Sequence, residues 1–135
     1  MTRVFVDTNV LVYSVDPSEP SKRDASRRIL LELARTGEIV TSTQVLKEFY
    51  NIALRKIGLA SNVAERCVRE FARNEVIEVS VEIILAGIAL HRAYSLSFWD
   101  ALIIQTAVTG DCDRLLSEDM QHDSRYEGLL VWNPF

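Results

Sequence analysis

The first residues of the chain limit its possible folds more than any other segment. Residues 4–6 (Val-Phe-Val) form an uninterrupted apolar run, which is typical of a short strand buried on both faces of a parallel sheet. Asp7 follows at once, and Thr8 and Asn9 are residues that turn the backbone and cap helices. We therefore expect a strand that ends at Asp7 and continues into a helix. In open α/β sheets, ligands bind beyond the carboxyl ends of the strands, which is where Asp7 would lie.

Four further strand-like segments alternate with helical segments along the rest of the chain. The predicted strands are residues 38–41, 75–79, 114–117 and 129–132. Strands that alternate with helices indicate a parallel sheet with right-handed crossovers and helices on both faces. The 135 residues are also about the size of one domain. We therefore predict an α/β fold, a single three-layer α/β/α domain over residues 1–135 with a mostly parallel sheet of roughly five strands.

Composition and charge limit the cellular compartment and the kinds of ligand that we expect for such a domain. No apolar run approaches the roughly 20 residues that cross a bilayer, and the first residues do not resemble an export signal. The two cysteines, Cys67 and Cys112, favour a reducing compartment, so we expect a cytoplasmic protein without a membrane partner. The net charge of -4 argues against non-specific capture of a polyanion, but it permits a nucleic-acid substrate if the acids gather in one cleft.

Three further acids are expected near the same edge of the sheet as Asp7. Glu48 lies on the helix after the second strand, and Asp119 follows the fourth strand by two residues. Asp100 occupies the third position of a helix that Ser97 caps. Strand ends and the helix starts that follow them share one rim of such a sheet, so the four acids could meet there. Each also has an ordinary interpretation as a turn residue, a helix cap or part of a solvated helix face.

A cluster of carboxylates requires compensation. Two carboxylates 4 Å apart repel by roughly 4 kcal/mol at an effective dielectric constant of about 20. Either protons are taken up, or a hard divalent cation such as Mg²⁺ or Mn²⁺ binds among the oxygens and can promote phosphodiester hydrolysis. Other chemistries find no support in the sequence, which has only two histidines, no zinc-type His/Cys spacing, no Gly-rich phosphate loop and no Gly-x-Ser-x-Gly.

Five short motifs, taken in order, carry a resemblance to a known family. They are Val-Phe-Val-Asp-Thr-Asn at residues 4–9, Lys-Glu-Phe-Tyr-Asn at 47–51, Phe-Trp-Asp-Ala-Leu-Ile at 98–103, Leu-Leu-Ser-Glu-Asp-Met-Gln-His at 115–122 and the terminal Asn-Pro-Phe. Together they resemble a PIN domain, and most closely the VapC-type toxin of bacterial and archaeal toxin–antitoxin pairs. The likeness covers essentially the whole chain.

The resemblance implies a PIN-like fold and a Mg²⁺- or Mn²⁺-dependent endoribonuclease that hydrolyses RNA. It also implies inhibition by a small cognate antitoxin, whose C-terminal segment occupies the cleft, and a homodimeric assembly. Thr8 and Ser117 match hydroxyl positions close to the family's acidic, metal-binding and catalytic cluster, and Asn9 follows its first acid. The positions that correspond to the cluster itself are Asp7, Glu48, Asp100 and Asp119.

One departure from the family pattern concerns the last loop. Many relatives have Gly after the Met-Gln-His stretch, where this chain has Asp123. Glu118 therefore stays open as an alternative to Asp119 for the fourth acid. Two rival functions also stay open. The first is a PIN-like scaffold that has lost turnover and acts by binding a protein. The second is a phosphatase with Asp7 as nucleophile, which Asn9 disfavours because such enzymes usually have Asp at that position.

Aromatic and basic side chains near these motifs have two interpretations. Trp99 could stack on a base of single-stranded RNA, but its place beside Phe98 at a helix start favours a core position. Several arginines could guide RNA phosphates towards the cleft, but helical spacing favours a solvated face. These arginines are Arg23, Arg27, Arg66, Arg69 and Arg73.

Overall fold

The computed structural model describes residues 2–135. The strands are β1 (Thr2–Val6), β2 (Gly37–Ser42), β3 (Glu75–Ile77), β4 (Arg114–Leu116), β5 (Arg125–Tyr126) and β6 (Leu129–Trp132). The helices are α1 (Thr8–Tyr13), α2 (Pro20–Thr36), α3 (Thr43–Ile52), α4 (Ser61–Phe71), α5 (Val81–Tyr94) and α6 (Phe98–Thr109). A short π-helical segment, Ala53–Ile57, continues α3.

The strands form one sheet in the order β3-β2-β1-β4-β6-β5. β1 pairs in parallel with β2 and β4, β2 with β3, and β4 with β6, whereas β5 runs antiparallel to β6. The chain moves from β1 through β2 to β3 on one side and then returns to β4 on the other. Right-handed crossovers in these two directions place helices on opposite faces, so the predicted α/β fold with a mostly parallel sheet is confirmed. The strand order reverses between β1 and β4. The carboxyl ends of these two strands therefore form the topological switch point, where ligands bind in open sheets.

The sheet differs from the prediction in two places. It has six strands rather than five, because the two-residue β5 folds back on β6 across a turn at Glu127 and Gly128. Both turn residues have positive φ (50° and 87°), a hairpin geometry that Gly adopts readily but that Glu does not signal. β3 ends at Ile77, two residues earlier than predicted, and the backbone N–H of Val79 donates to Thr43 Oγ1 (3.2 Å) instead.

The core explains why the opening segment is apolar on both faces. Residues 4–6 are buried in β1, between β2 and β4. Phe49 of α3 is fully buried, and its ring meets Phe71 of α4 edge-on with centroids 5.0 Å apart. Burial of one such side chain stabilises a fold by roughly 1.5–3 kcal/mol. This packing fixes α3, and with it Glu48, against the sheet.

α5 and α6 meet at a bend of 117° and approach each other closely at Gly87. A Cβ atom at Gly87 would lie 3.3 Å from Leu102 Cδ1 and 3.4 Å from Leu102 Cα. The absence of a side chain at Gly87 therefore sets the position of α6, which carries Asp100. Among residues 2–135, no single helix is long and apolar enough to cross a bilayer, and α5 and α6 pass that test only when they are taken together across their bend.

We predict that Gly87→Val lowers the free energy of unfolding by about 1–3 kcal/mol, because the added methyl groups press on the backbone of α6 at Leu102. The matched control is Ala89→Val, which introduces the same side chain at an exposed position of α5. The control should change stability by less than about 0.7 kcal/mol. Urea denaturation followed by circular dichroism measures both changes. Equal stability of the two variants would contradict the close approach of the helices.

Candidate active site

A cavity of about 540 Å³ opens at the carboxyl edge of the sheet, beside the switch point between β1 and β4. Four acids reach it from separate parts of the chain: the residue after β1, the second half of α3, the first turn of α6 and the loop after β4. The acids that line the cavity include Asp7, Glu48, Asp100 and Asp119. The structure thus brings the four side chains to one cavity, while their catalytic and metal-binding roles stay a prediction.

Asp7 is the most deeply buried of these acids, with 5% of its surface exposed. It caps α1, because its Oδ1 accepts a hydrogen bond from the backbone N–H of Thr8 (2.7 Å). Its Oδ2 accepts from the hydroxyl of Ser117 (2.8 Å), just beyond β4. Burial raises the pKa of Asp7 from 3.8 to about 6, against the effect of these two hydrogen bonds, and the charges of Asp119 and Glu48 raise it further. Asp7 is therefore harder to ionise in the folded protein than an ordinary aspartate.

Glu48 is held by two neighbours, one from α1 and one from its own helix. The Thr8 hydroxyl donates to Glu48 Oε2 (2.8 Å), and Gln44 Nε2 donates to Glu48 Oε1 (2.9 Å). Gln44 lies one turn earlier on α3, so the two side chains share a helix face. Thr8 therefore links Asp7, through its backbone N–H, to Glu48, through its hydroxyl.

Asn9 fixes the loop that carries Asp119. Asn9 Nδ2 donates to Asp119 Oδ2 (3.0 Å), and Asn9 Oδ1 accepts from the backbone N–H of Glu118 (3.2 Å). The backbone N–H of Asp119 donates in turn to the hydroxyl of Ser117 (3.2 Å). Ser117 thus contacts Asp7 and Asp119 together, which places the residue after β4 in register with the residue after β1.

Asp100 lies in the first turn of α6 and is half-buried. Ser97 caps this helix as predicted, because its hydroxyl accepts from the backbone N–H of Asp100 (3.1 Å). Burial raises the pKa of Asp100, the Ser97 hydroxyl lowers it, and the charge of Asp119 raises it. Asp119 therefore acts electrostatically on both Asp7 and Asp100.

Glu118 also lines the cavity, but its charge is already compensated. The Tyr13 hydroxyl donates to Glu118 Oε2 (2.6 Å), and the Lys22 ammonium pairs with Glu118 Oε1. Burial raises the pKa of Glu118, but the hydrogen bonds from Lys22 and Tyr13 outweigh that effect and leave the pKa below its usual value. Of the two neighbouring acids, Asp119 is the one that leaves a charge facing Asp7 and Asp100.

The four acids of the cavity offer carboxylate oxygens that form no ion pair with a basic side chain. Among residues 2–135, no ion pair joins Asp7, Glu48, Asp100 or Asp119 to a basic side chain within 4.0 Å. Nor does this part of the chain contain a group of three or more His, Cys, Asp or Glu side chains placed to hold a metal ion. Mg²⁺ is typically bound by one or two carboxylates and several waters. The oxygen donors therefore fit an ion held partly through water.

The prediction that Trp99 belongs to the core is wrong. Its side chain is 64% exposed and lines the cavity beside Asp100. The rings of Phe98 and Trp99 meet edge-on, with centroids 5.2 Å apart. Adjacent positions at a helix start point in different directions, so the apolar neighbour does not draw Trp99 into the core.

Two basic residues that the sequence did not single out, Arg55 and Lys56, line the same cavity. Their position just before Gly58 signalled only the end of a helix, where cations favour the helix dipole. Most of the arginines that were considered as phosphate guides are engaged locally, and none lines this cavity. The local partners are Asp24 for Arg23 (3.4 Å), the Ser14 carbonyl for Arg27 (2.7 Å), Glu65 for Arg69 (2.9 Å) and Glu70 for Arg73 (3.4 Å).

Similar proteins show the family to which the chain belongs. The PIN-domain family model matches residues 4–127. The VapC ribonuclease Mb1869c of Mycobacterium bovis is 33% identical over 131 residues, covering 93% of this chain and 96% of that protein.

Solved structures share the fold at lower identity. A toxin–antitoxin complex from Klebsiella pneumoniae matches with a TM-score of 0.72 and 21% identity, covering 98% of both chains. VapBC2 from Rickettsia felis, bound to a DNA fragment from its promoter, matches with a TM-score of 0.71 and 21% identity over 98% of this chain and 100% of that one. By its family match and its close relative, the chain belongs to the PIN-domain family and is of the VapC type.

Proposed function

We propose that this protein is a Mg²⁺- or Mn²⁺-dependent endoribonuclease and the toxin of a type II toxin–antitoxin pair. One observation carries the proposal. Carboxylates from four separate elements line one cavity, and none of them has a protein cation beside it. Such an arrangement is costly unless a divalent ion joins it. The 33% identity to a VapC ribonuclease supports RNA as the substrate.

The residues that would hold the ion are Asp7, Asp100 and Asp119, directly or through bound water, with Glu48 acting through water. Once bound, Mg²⁺ or Mn²⁺ would lower the pKa of a water ligand and neutralise charge on the phosphate and on the leaving oxygen. Asn9 orients the carboxylate of Asp119, and the Ser117 hydroxyl orients that of Asp7. Asp119 takes the role of fourth acid because Lys22 and Tyr13 already occupy Glu118.

Glu48 would ligate the ion through water or accept a proton from the attacking water. The Thr8 hydroxyl and the Gln44 amide hold one carboxylate oxygen each, so the side chain has a fixed orientation towards the cavity. General bases of this kind contribute typically about 10²–10⁴-fold to a rate. Asp7, which is deeply buried and held at both oxygens, is suited to binding rather than to proton transfer.

The proposed partners are a small cognate antitoxin and a second copy of the chain. The toxin–antitoxin complexes with the same fold support the antitoxin. A cationic side chain presented by such a partner would compete with the ion for the unpaired carboxylates. Val81 and Leu85 on α5 are 69% and 61% exposed, and such apolar exposure supports a protein interface for the homodimer. The free thiols of Cys67 and Cys112 support action in the cytoplasm.

We predict that the purified protein cleaves single-stranded RNA when Mg²⁺ or Mn²⁺ is present and stops when EDTA is added. Asp100→Asn keeps the shape of the side chain and the backbone N–H that Ser97 caps, but it removes the charge. This variant should lower the cleavage rate by more than about 100-fold, since even residues behind metal ligands contribute 10–100-fold. The matched control is Asp24→Asn, which removes an exposed acid outside the cavity and should cleave normally. Gel electrophoresis of labelled RNA measures the rates.

Cleavage that persists in EDTA, or in Asp100→Asn, would contradict the metal mechanism. Absence of cleavage by the wild-type protein, combined with tight binding of a peptide from the antitoxin, would favour the scaffold function instead.

We predict that Asp7→Asn stabilises the metal-free protein at neutral pH. The folded-state pKa of about 6 exceeds the usual 3.8. The acid therefore favours folding most below pH 3.8, and that stability is lost as the pH rises through about 6. At about 1.36 kcal/mol per unit of pKa, the loss is at most about 3 kcal/mol, and the neutral amide avoids it. Urea denaturation in EDTA should show Asp7→Asn more stable than wild type at pH 8 but not at pH 4.

Addition of Mg²⁺ supplies the control for that measurement. An ion that binds only the folded protein stabilises it by mass action, so Mg²⁺ should raise the midpoint of the wild type but not of Asp7→Asn. Asp24→Asn, at an exposed acid, should follow the wild type throughout. Equal stability of Asp7→Asn and wild type at pH 8 would refute the cost of burying this carboxylate.

A further inference from the structure

The cavity is lined by basic residues as well as by acidic ones. Arg55 and Lys56 line it together with the four acids, and both side chains are exposed. They belong to the π-helical segment Ala53–Ile57 at the end of α3. A π-helical turn is rare and is frequently found at functional sites.

Both ends of the π-helical segment contact the core. Ala53 at its start is buried, and Ile57 at its end packs against the core. The Ala53 carbonyl accepts from the backbone N–H groups of both Gly58 and Leu59, the latter at 2.9 Å. Arg55 and Lys56 lie between these two inward residues, and both are exposed and line the cavity.

Arg55 and Lys56 are not consumed by ion pairs. Among residues 2–135, neither has a carboxylate within 4.0 Å, in contrast to Lys22, which pairs with the lining residue Glu118. The charge of Lys56 nevertheless affects the pKa of an acid that lines the cavity. The pKa of Asp16, a lining residue, is lowered first by hydrogen bonds from Ser18 and then by the charge of Lys56.

A cavity lined by both acidic and basic residues suits a ligand that carries several negative charges along a strand. The protein has a net charge of -4, and its carboxylates would repel a polyanion unless cations stood nearby. An arginine and a lysine are the side chains that bind phosphate, the first as a planar fork and the second as a point charge.

We infer that Arg55 and Lys56 bind backbone phosphates of the RNA next to the bond that is cut. They thereby set the path of the RNA strand past the four acids of the cavity. The inference rests on the proposed ribonuclease function and deepens it. The two residues act by positioning the substrate. The reacting phosphate itself lies at the acids.

The test compares two double variants that remove the same charge. Arg55→Gln/Lys56→Gln removes the cavity pair, whereas Arg28→Gln/Arg66→Gln removes two exposed arginines that do not line the cavity. Binding of a fluorescein-labelled single-stranded RNA of randomised sequence is measured by anisotropy with Mg²⁺ present. All proteins carry Asp100→Asn, so that the RNA stays intact.

The salt dependence of binding reports phosphate contacts. For single strands the slope of log affinity against log salt concentration changes by about 0.7 for each contact, so loss of both contacts should flatten it by about 1.4. The affinity deficit of the cavity variant should then be about sevenfold larger at 50 mM than at 200 mM salt. The control pair should keep the slope of its parent. Arg55→Lys/Lys56→Arg should also keep it, because the charges are retained.

RNA cleavage is then measured with proteins that keep Asp100. It distinguishes failure of the Arg55 and Lys56 assignment from failure of the proposed ribonuclease function. We expect Arg55→Gln/Lys56→Gln to raise KM far more than it lowers kcat, with unchanged stability in urea. If the wild-type protein cleaves RNA and the cavity variant keeps both the salt slope and the KM of the control pair, the assignment is overturned and the pair is free for a protein partner. If the wild-type protein neither cleaves nor binds RNA, the proposed function is overturned and this inference with it.

Discussion

The structure depends on a carboxylate that is buried at the end of a central strand without a protein cation. An ionised group in such a place is costly, and here only part of the cost is offset, by hydrogen bonds from the Ser117 hydroxyl and the Thr8 backbone N–H to Asp7. The neighbouring residues extend the arrangement. The Thr8 hydroxyl holds Glu48 on α3, and the Asn9 amide holds the loop after β4. Three consecutive residues therefore connect three elements of the site.

The strand order explains why so short a segment can do this. β1 and β4 are adjacent and parallel although more than a hundred residues separate them, and the backbone N–H of Asp7 donates to the Leu116 carbonyl (3.0 Å). The residues that follow the two strands are consequently neighbours at one edge. Ser117, the residue after β4, contacts both Asp7 and Asp119 there. The strand order brings the ends of β1 and β4 close together, and the Ser117 hydroxyl fixes the distance between Asp7 and the loop after β4.

How much of this could be predicted depends on whether a feature is set locally or by distant packing. Acids at strand ends and helix starts were predictable, because apolar runs, capping residues and the sheet rim are local signals. β5 was not, because Arg125–Tyr126 is too short to show alternation and its pairing depends on the turn at Glu127 and Gly128. The exposure of Trp99 was missed because it depends on which side of α6 faces the cavity. The π-helical segment was not predictable, because Phe49, Ala53 and Ile57 also follow ordinary α-helical spacing and the sequence does not mark the wider turn.

The separation of charge within the cavity has a physical reason. A lysine or arginine within ion-pair distance of the acids would neutralise them and occupy the space of a divalent ion. Cations far from the cavity would leave the carboxylates to repel an incoming phosphate, and at physiological salt their field falls off over about 8 Å. Arg55 and Lys56 lie between these limits, since they line the cavity without pairing to its acids. The π-helical segment that continues α3 carries both residues, and the proposed binding of an anionic substrate and a divalent ion in the same cavity depends on that placement.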